Sequence, residues 1–197
     1  MKSSFASKLA IIITLIAFLA LLKSPAVAVP SVQTAVEYYQ VEGTSSREIS
    51  NSLNRNTPIR RNGKIFRGNT RYDVRWNFRW RQRANSCRMD RVETNLDIKY
   101  TLPKLKNAGS LSLHLQQKWS SYMTALIAHE VEHKEIALDM AYVIEEEILH
   151  IEPAKTCQEL EANANRLGHQ IVQEFKEIQA DFDRRTNHGA TEGVVFP

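Results

Sequence analysis

The sequence predicts an α+β fold, a small antiparallel sheet packed against two long C-terminal helices. Two stretches in the first half, residues 72–80 and 92–102, alternate apolar and polar side chains with a period of two. The second half repeats apolar residues at helical spacing on both sides of a break at Pro153. Strands therefore precede helices instead of alternating with them, which argues against a parallel α/β sheet.

Taken in order, residues 34–41 read as a first strand. Ser45 and Glu48 then have capping-box spacing and start a short helix to about Leu53, followed by a polar loop. Tyr72, Val74, Trp76, Phe78 and Trp80 share one face of the next strand, with Asp73, Arg75, Asn77 and Arg79 on the other. Its antiparallel partner carries Val92, Thr94, Leu96, Ile98, Tyr100 and Leu102, and Pro103 is expected to end it. Trp76 and Trp80 are read as core aromatics. A helix over 111–149 follows. A second helix runs from a Thr156/Glu159 capping box to about Phe182, with an apolar stripe of Leu160, Leu167, Ile171, Phe175, Ile178 and Phe182.

The chain has 197 residues and a formal charge of +4. Lys2 and Lys8 precede an apolar run over 9–22, and Ala26-Val27-Ala28 supplies small residues for cleavage. This is the pattern of a secretory signal peptide over 1–28, and a run of 14 residues falls short of the roughly 20 that span a bilayer. The expected product is a single domain over 29–197, secreted or periplasmic, with no stable membrane anchor after cleavage. Loss of Lys2, Lys8 and Lys23 lowers the charge to about +1, which argues against nucleic acid as a partner. Eleven arginines between Arg55 and Arg91 face ten acids between Glu130 and Glu161. They are read as the solvent face of a sheet, with a surface for an anionic envelope polymer or acidic peptide as the functional alternative. Cys87 and Cys157 are expected to pair in an oxidising compartment.

The chemistry-bearing motif is His129-Glu130-Val131-Glu132-His133. On a helix, residues four apart share a face, so both imidazoles can reach one Zn2+ ion while Glu130 addresses a water beside it. A catalytic zinc takes a third protein ligand. Spacing leaves four candidates: Asp139, six residues after His133; Glu152, nineteen after it; and Asp183 and His188 near the end of the second helix. His114, His150 and His169 are read as ordinary surface or core residues.

Several features spread over most of the chain resemble a bacterial family of predicted secreted zinc-dependent proteases, domain of unknown function 922. They are Tyr38-Tyr39 with Val41 and Gly43, Trp76, Cys87, Leu102-Pro103, Trp119, the 129–133 motif with Ile136-Ala137, Cys157, and the tail Asp183, Thr186, His188-Gly189. The sequence departs from the family pattern at Phe182, where tyrosine is frequent, and at Asn187 and Glu192, where glycine and glutamine are. The resemblance implies a zincin-like metallopeptidase with His129, His133 and His188 on zinc and Glu130 as the general base. Its substrate would be a peptide or protein. Two other readings stand beside it: a cell-wall amidase using the same chemistry, and a non-catalytic envelope binding protein with a structural metal or none.

Overall fold

The computed structural model describes residues 29–196. The expected signal segment, 1–28, lies outside the described residues. Five strands and three helices follow in the order β1 (Ser31–Val41), α1 (Ser46–Asn56), β2 (Arg60–Arg61), β3 (Lys64–Ile65), β4 (Asn69–Arg83), β5 (Ser86–Leu105), α2 (Leu113–Leu149) and α3 (Cys157–Thr186). The architecture is α+β, a small sheet covered by helices. Among the described residues no helix is long and apolar enough to cross a membrane.

The main sheet has the order β1-β5-β4. β4 and β5 form the expected antiparallel pair, but β1 runs parallel to β5, so the sheet is mixed instead of wholly antiparallel. The connection from β1 to β5 passes through α1 and the whole of β4, long enough for the crossover that a parallel pair requires. β5 also continues two residues beyond Pro103. β4 begins opposite Thr101, so on that side no strand remains to which the proline nitrogen would have to donate. The loop after α1 contains a short hairpin, β2 with β3, turned by Asn62 and Gly63, both at positive φ (50° and 78°). That is the Asn-Gly pattern of a tight hairpin turn.

Alternation does what the pattern predicts. Val92, Leu96, Ile98, Tyr100 and Leu102 are buried, while Arg75 and Arg79 of β4 project from the opposite face and Arg71, at the start of the strand, reaches the rim of a cleft beside the helices. Several of the charges there are matched within the sheet, Arg75 with Asp97, Arg91 with Glu93 and Lys99 with Glu37. Trp76 donates from Nε1 to Asn165 on α3 (3.0 Å), whereas Trp80, beyond a bulge at Arg79/Trp80, is 39% exposed.

Each helix starts on a side-chain cap: Ser45 accepts from the Glu48 N–H, Ser112 from Leu115, and Thr156 from Glu159. α2 spans 37 residues, about 55 Å at 1.5 Å per residue. Its first half packs Leu115, Tyr122 and Leu126 with α1 and the sheet, and its last turns pack Met140, Ile144 and Ile148 with α3. Each fully buried aliphatic side chain contributes roughly 1.5–3 kcal/mol, so both ends of the helix are anchored, and the 129–133 turn lies between them. α3 runs one turn past Phe182, to Thr186. Its inward face includes Leu160, Gly168, Ile171, Gln179 and Phe182, leaving Ile178 exposed at 44%. A disulfide joins Cys87 to Cys157, and paired backbone hydrogen bonds between Cys87 and Ala154 (2.8 and 2.9 Å) tie the α2–α3 corner to β5.

Candidate metal centre

The helical motif turn presents His129 and His133 side by side, ring centroids 4.9 Å apart. Both Nε2 atoms point at α3, where Oδ1 of Asp183 lies 3.4 Å from that of His129 and 3.3 Å from that of His133. Ligand atoms of these three residues all fall within 4.8 Å of one another, and the group could hold a metal ion. His188, the third ligand suggested by the family resemblance, is not part of it. It lines the same cleft, with Nδ1 3.2 Å from the same Oδ1 that faces both imidazoles and 41% of its side chain exposed. The helix extension explains the difference. Asp183 remains helical and faces α2, while Asn187 and His188, both at positive φ, turn the chain away after the last turn. Of the other candidates, Asp139 is exposed on α2, and Glu152 lies in the α2–α3 loop, about 30 Å along α2 from the motif.

Each imidazole is oriented from behind. Nδ1 of His129 donates to Glu192 Oε2 (2.9 Å), and Nδ1 of His133 donates to Gln179 Oε1. Gln179 also donates from Nε2 to the His133 carbonyl (2.8 Å), gripping that residue at two points. In the neutral ring Nδ1 keeps the proton and the Nε2 lone pair faces the shared space, whereas in the charged ring Nε2–H donates toward Asp183. Phe182 stacks on His129 (4.8 Å, 22°) and meets His133 edge-on, walling one side of the site.

Glu130 is 5% exposed and is held by Thr70, whose hydroxyl lies 2.7 Å from Oε2. The backbone of Gly68 passes so near that a Cβ there would stand 2.6 Å from Glu130 Oε1. Gly189, at φ 81°, brings the tail against His129, where a Cβ would lie 3.1 Å from Cγ of the ring. From there the chain turns back, delivers Glu192, and seats Phe196 against Trp119 and Tyr122.

These contacts bias the protonation states. Burial raises the Glu130 carboxyl above its usual range, opposed by the Thr70 hydrogen bond and the two imidazoles. Burial lowers the basicity of His129 and His133, but hydrogen bonds to Asp183, and to Glu192 and Gln179 respectively, outweigh it and raise both. Burial alone would raise Asp183. Its hydrogen bonds with both imidazoles reverse that and hold it far below the usual carboxylate range. Asp183 is therefore an anion at any pH near neutrality.

The group lies in a cleft of about 380 Å³ that is also lined by Gly68, Thr70 and Val194. Sequence reasoning missed Thr70, Gln179 and Glu192. One signal was available for Gln179, which stands four residues before Asp183 and so shares its helical face. His150 bonds the Glu146 carbonyl at the end of α2, and His169 packs against Trp76, as expected of ordinary residues.

No curated protein and no solved structure matches the chain. Residues 36–189 match a family described as a bacterial protein of unknown function (DUF922). That match covers both long helices, most of the sheet and all three residues of the candidate metal group, and the chain belongs to the DUF922 family of bacterial proteins.

Proposed function

We propose that the protein is an exported zinc-dependent hydrolase that cleaves amide bonds in peptides. The observation that carries this reading is the convergence of two imidazole Nε2 atoms and one carboxylate on a single space beside the buried Glu130. The donor set suits zinc: two nitrogens and one oxygen, with Nδ1 of each imidazole engaged elsewhere. An all-oxygen cation such as calcium or magnesium is a poor match to it. His129, His133 and Asp183 would hold the ion, leaving a position open in the cleft. When bound, zinc supplies Lewis acidity and lowers the pKa of a coordinated water.

The chain's own residues supply the rest. Glu130, raised by burial and steered by Thr70, takes the proton from the attacking water and returns it to the leaving amine. Phe182 and Val194 exclude solvent from part of the site. His188 supports the Asp183 carboxylate from the exposed side. β4 is an edge strand, and its first residues, Asn69 to Tyr72, line the cleft, so an extended peptide can add to that edge. The disulfide suits an oxidising compartment outside the cytoplasm.

The test is a Glu130→Gln variant assayed for zinc and for peptide hydrolysis. We expect near one zinc per chain in both proteins and at least about a hundredfold loss of hydrolysis in the variant. A variant that keeps zinc and full activity, or a parent protein that takes up no zinc on reconstitution, would overturn the reading.

A further inference from the structure

The cleft has a cationic rim. Arg61, Arg67, Arg71 and Lys176 line it, and among the described residues none of the four has a carboxylate partner. Arg61 donates to the neutral Asn69 side chain, and Arg67 to Asn54 (3.0 Å) and Ser50 (3.1 Å), contacts that position a guanidinium without neutralising it. Arg71 and Lys176 are exposed, on β4 and α3 respectively. The β2–β3 hairpin brings Arg61 to the cleft. Charges elsewhere are balanced differently. The other arginine-lined cleft, at the far end of the sheet, includes Asp90 and Glu152, with Arg81 paired to Asp90 at 2.7 Å.

Two acids do line the candidate metal cleft, but both are committed. Glu130 is buried and held by Thr70, and Asp183 faces the imidazoles. A bound divalent ion offsets those two charges and leaves the rim cations uncompensated. Low-dielectric walls focus such a field on whatever enters, and arginine pairs with carboxylates in bidentate geometry.

We infer that the substrate is an acidic peptide, one that carries a carboxylate within two residues of the scissile bond and is held there by the Arg61, Arg67, Arg71 and Lys176 rim. This rests on the hydrolase reading above and names its substrate class.

The experiment is digestion of a proteome-derived peptide library by the zinc-reconstituted protein, followed by kcat/KM for matched peptides with glutamate or glutamine beside the cleaved bond. Cleavage sites should be enriched in Asp and Glu, with glutamate preferred over glutamine by at least about tenfold at low salt and less at high salt. In the Arg71→Gln/Lys176→Gln variant that ratio should fall severalfold, and in Arg71→Glu it should shift toward basic peptides. Enrichment that is unchanged in both variants would overturn the role of the rim. Cleavage without acidic enrichment would overturn this inference and leave the hydrolase reading standing. A library cut nowhere would overturn that reading and this inference with it.

Discussion

Glu192 Oε2 stands 2.9 Å from Nδ1 of His129, across a sequence separation of 63 residues. This contact lets the C-terminal tail decide which nitrogen of a candidate metal ligand carries the proton. Second-sphere carboxylates of this kind are typically worth ten- to a hundredfold in metal affinity. Glu192→Ala should weaken zinc binding by about that factor, and Glu192→Gln, which retains an acceptor, by less. Competition against a chelating indicator measures both, and equal affinity in Glu192→Ala and the parent would show that the contact does not orient the ligand.

Asp183 and His188 separate cleanly by mutation. Asp183→Ala should abolish stoichiometric zinc, because its oxygen is the one grouped with both imidazoles. His188→Ala should retain close to one zinc per chain with weaker affinity, since His129, His133 and Asp183 form the ligand group without it. Elemental analysis of the two variants reads the difference, and the reverse pattern would make His188 the ligand.

The cluster makes stability depend on pH with a definite sign. His129 and His133 are raised above 6.5, so without metal their contribution is fully present below about pH 6.5 and is lost as pH rises through their folded values. Asp183 is depressed below 3.8, so its contribution is present above about pH 3.8 and is lost as pH falls through its folded value. Chelator-treated protein should therefore gain most from this cluster between about pH 4 and 6.5. Zinc must displace the imidazole protons, so its stabilising effect should widen from about pH 6 to about pH 8.5. Thermal melts in zinc and in chelator across that range check it, and a gap that narrowed with rising pH would contradict these shifts.

Gly68→Ala places a Cβ 2.6 Å from both Glu130 Oε1 and Leu126 Cδ1. Leu126 is only 2% exposed, so the strain falls on Glu130 and the core together. A cost of about 1–3 kcal/mol is expected, with hydrolysis reduced more than zinc content because Glu130 is displaced and the ligands are not. Denaturant unfolding and elemental analysis measure the two effects separately.

Much of this was legible without coordinates because it is local. The 129–133 motif places two imidazoles on one face of any helix that contains it, and the capping residues Ser45 and Thr156 stand three positions before the glutamates whose N–H groups they accept. The Asn62-Gly63 hairpin is equally local, but polar composition predicts only a loop there, and the placement of Arg61 follows from the hairpin. The direction of β1 was not legible, because an alternating strand pairs equally well in either sense until the crossover is known.

By itself the sequence determined the helix, the pair of histidines, the acid beside them and the alternating strands, all consequences of backbone periodicity within a few residues. Only the tertiary structure decided which carboxylate stands beside the two imidazoles. Asp183, Gln179 and Glu192 lie 46 to 63 residues from their imidazole partners, and Thr70 lies 60 from Glu130. Their approach depends on how α3 packs on α2, on one extra turn of α3, and on left-handed residues that fold the tail back. Spacing along the chain carries no information about such a packing, because side-chain contact across two helices is set by the core between them.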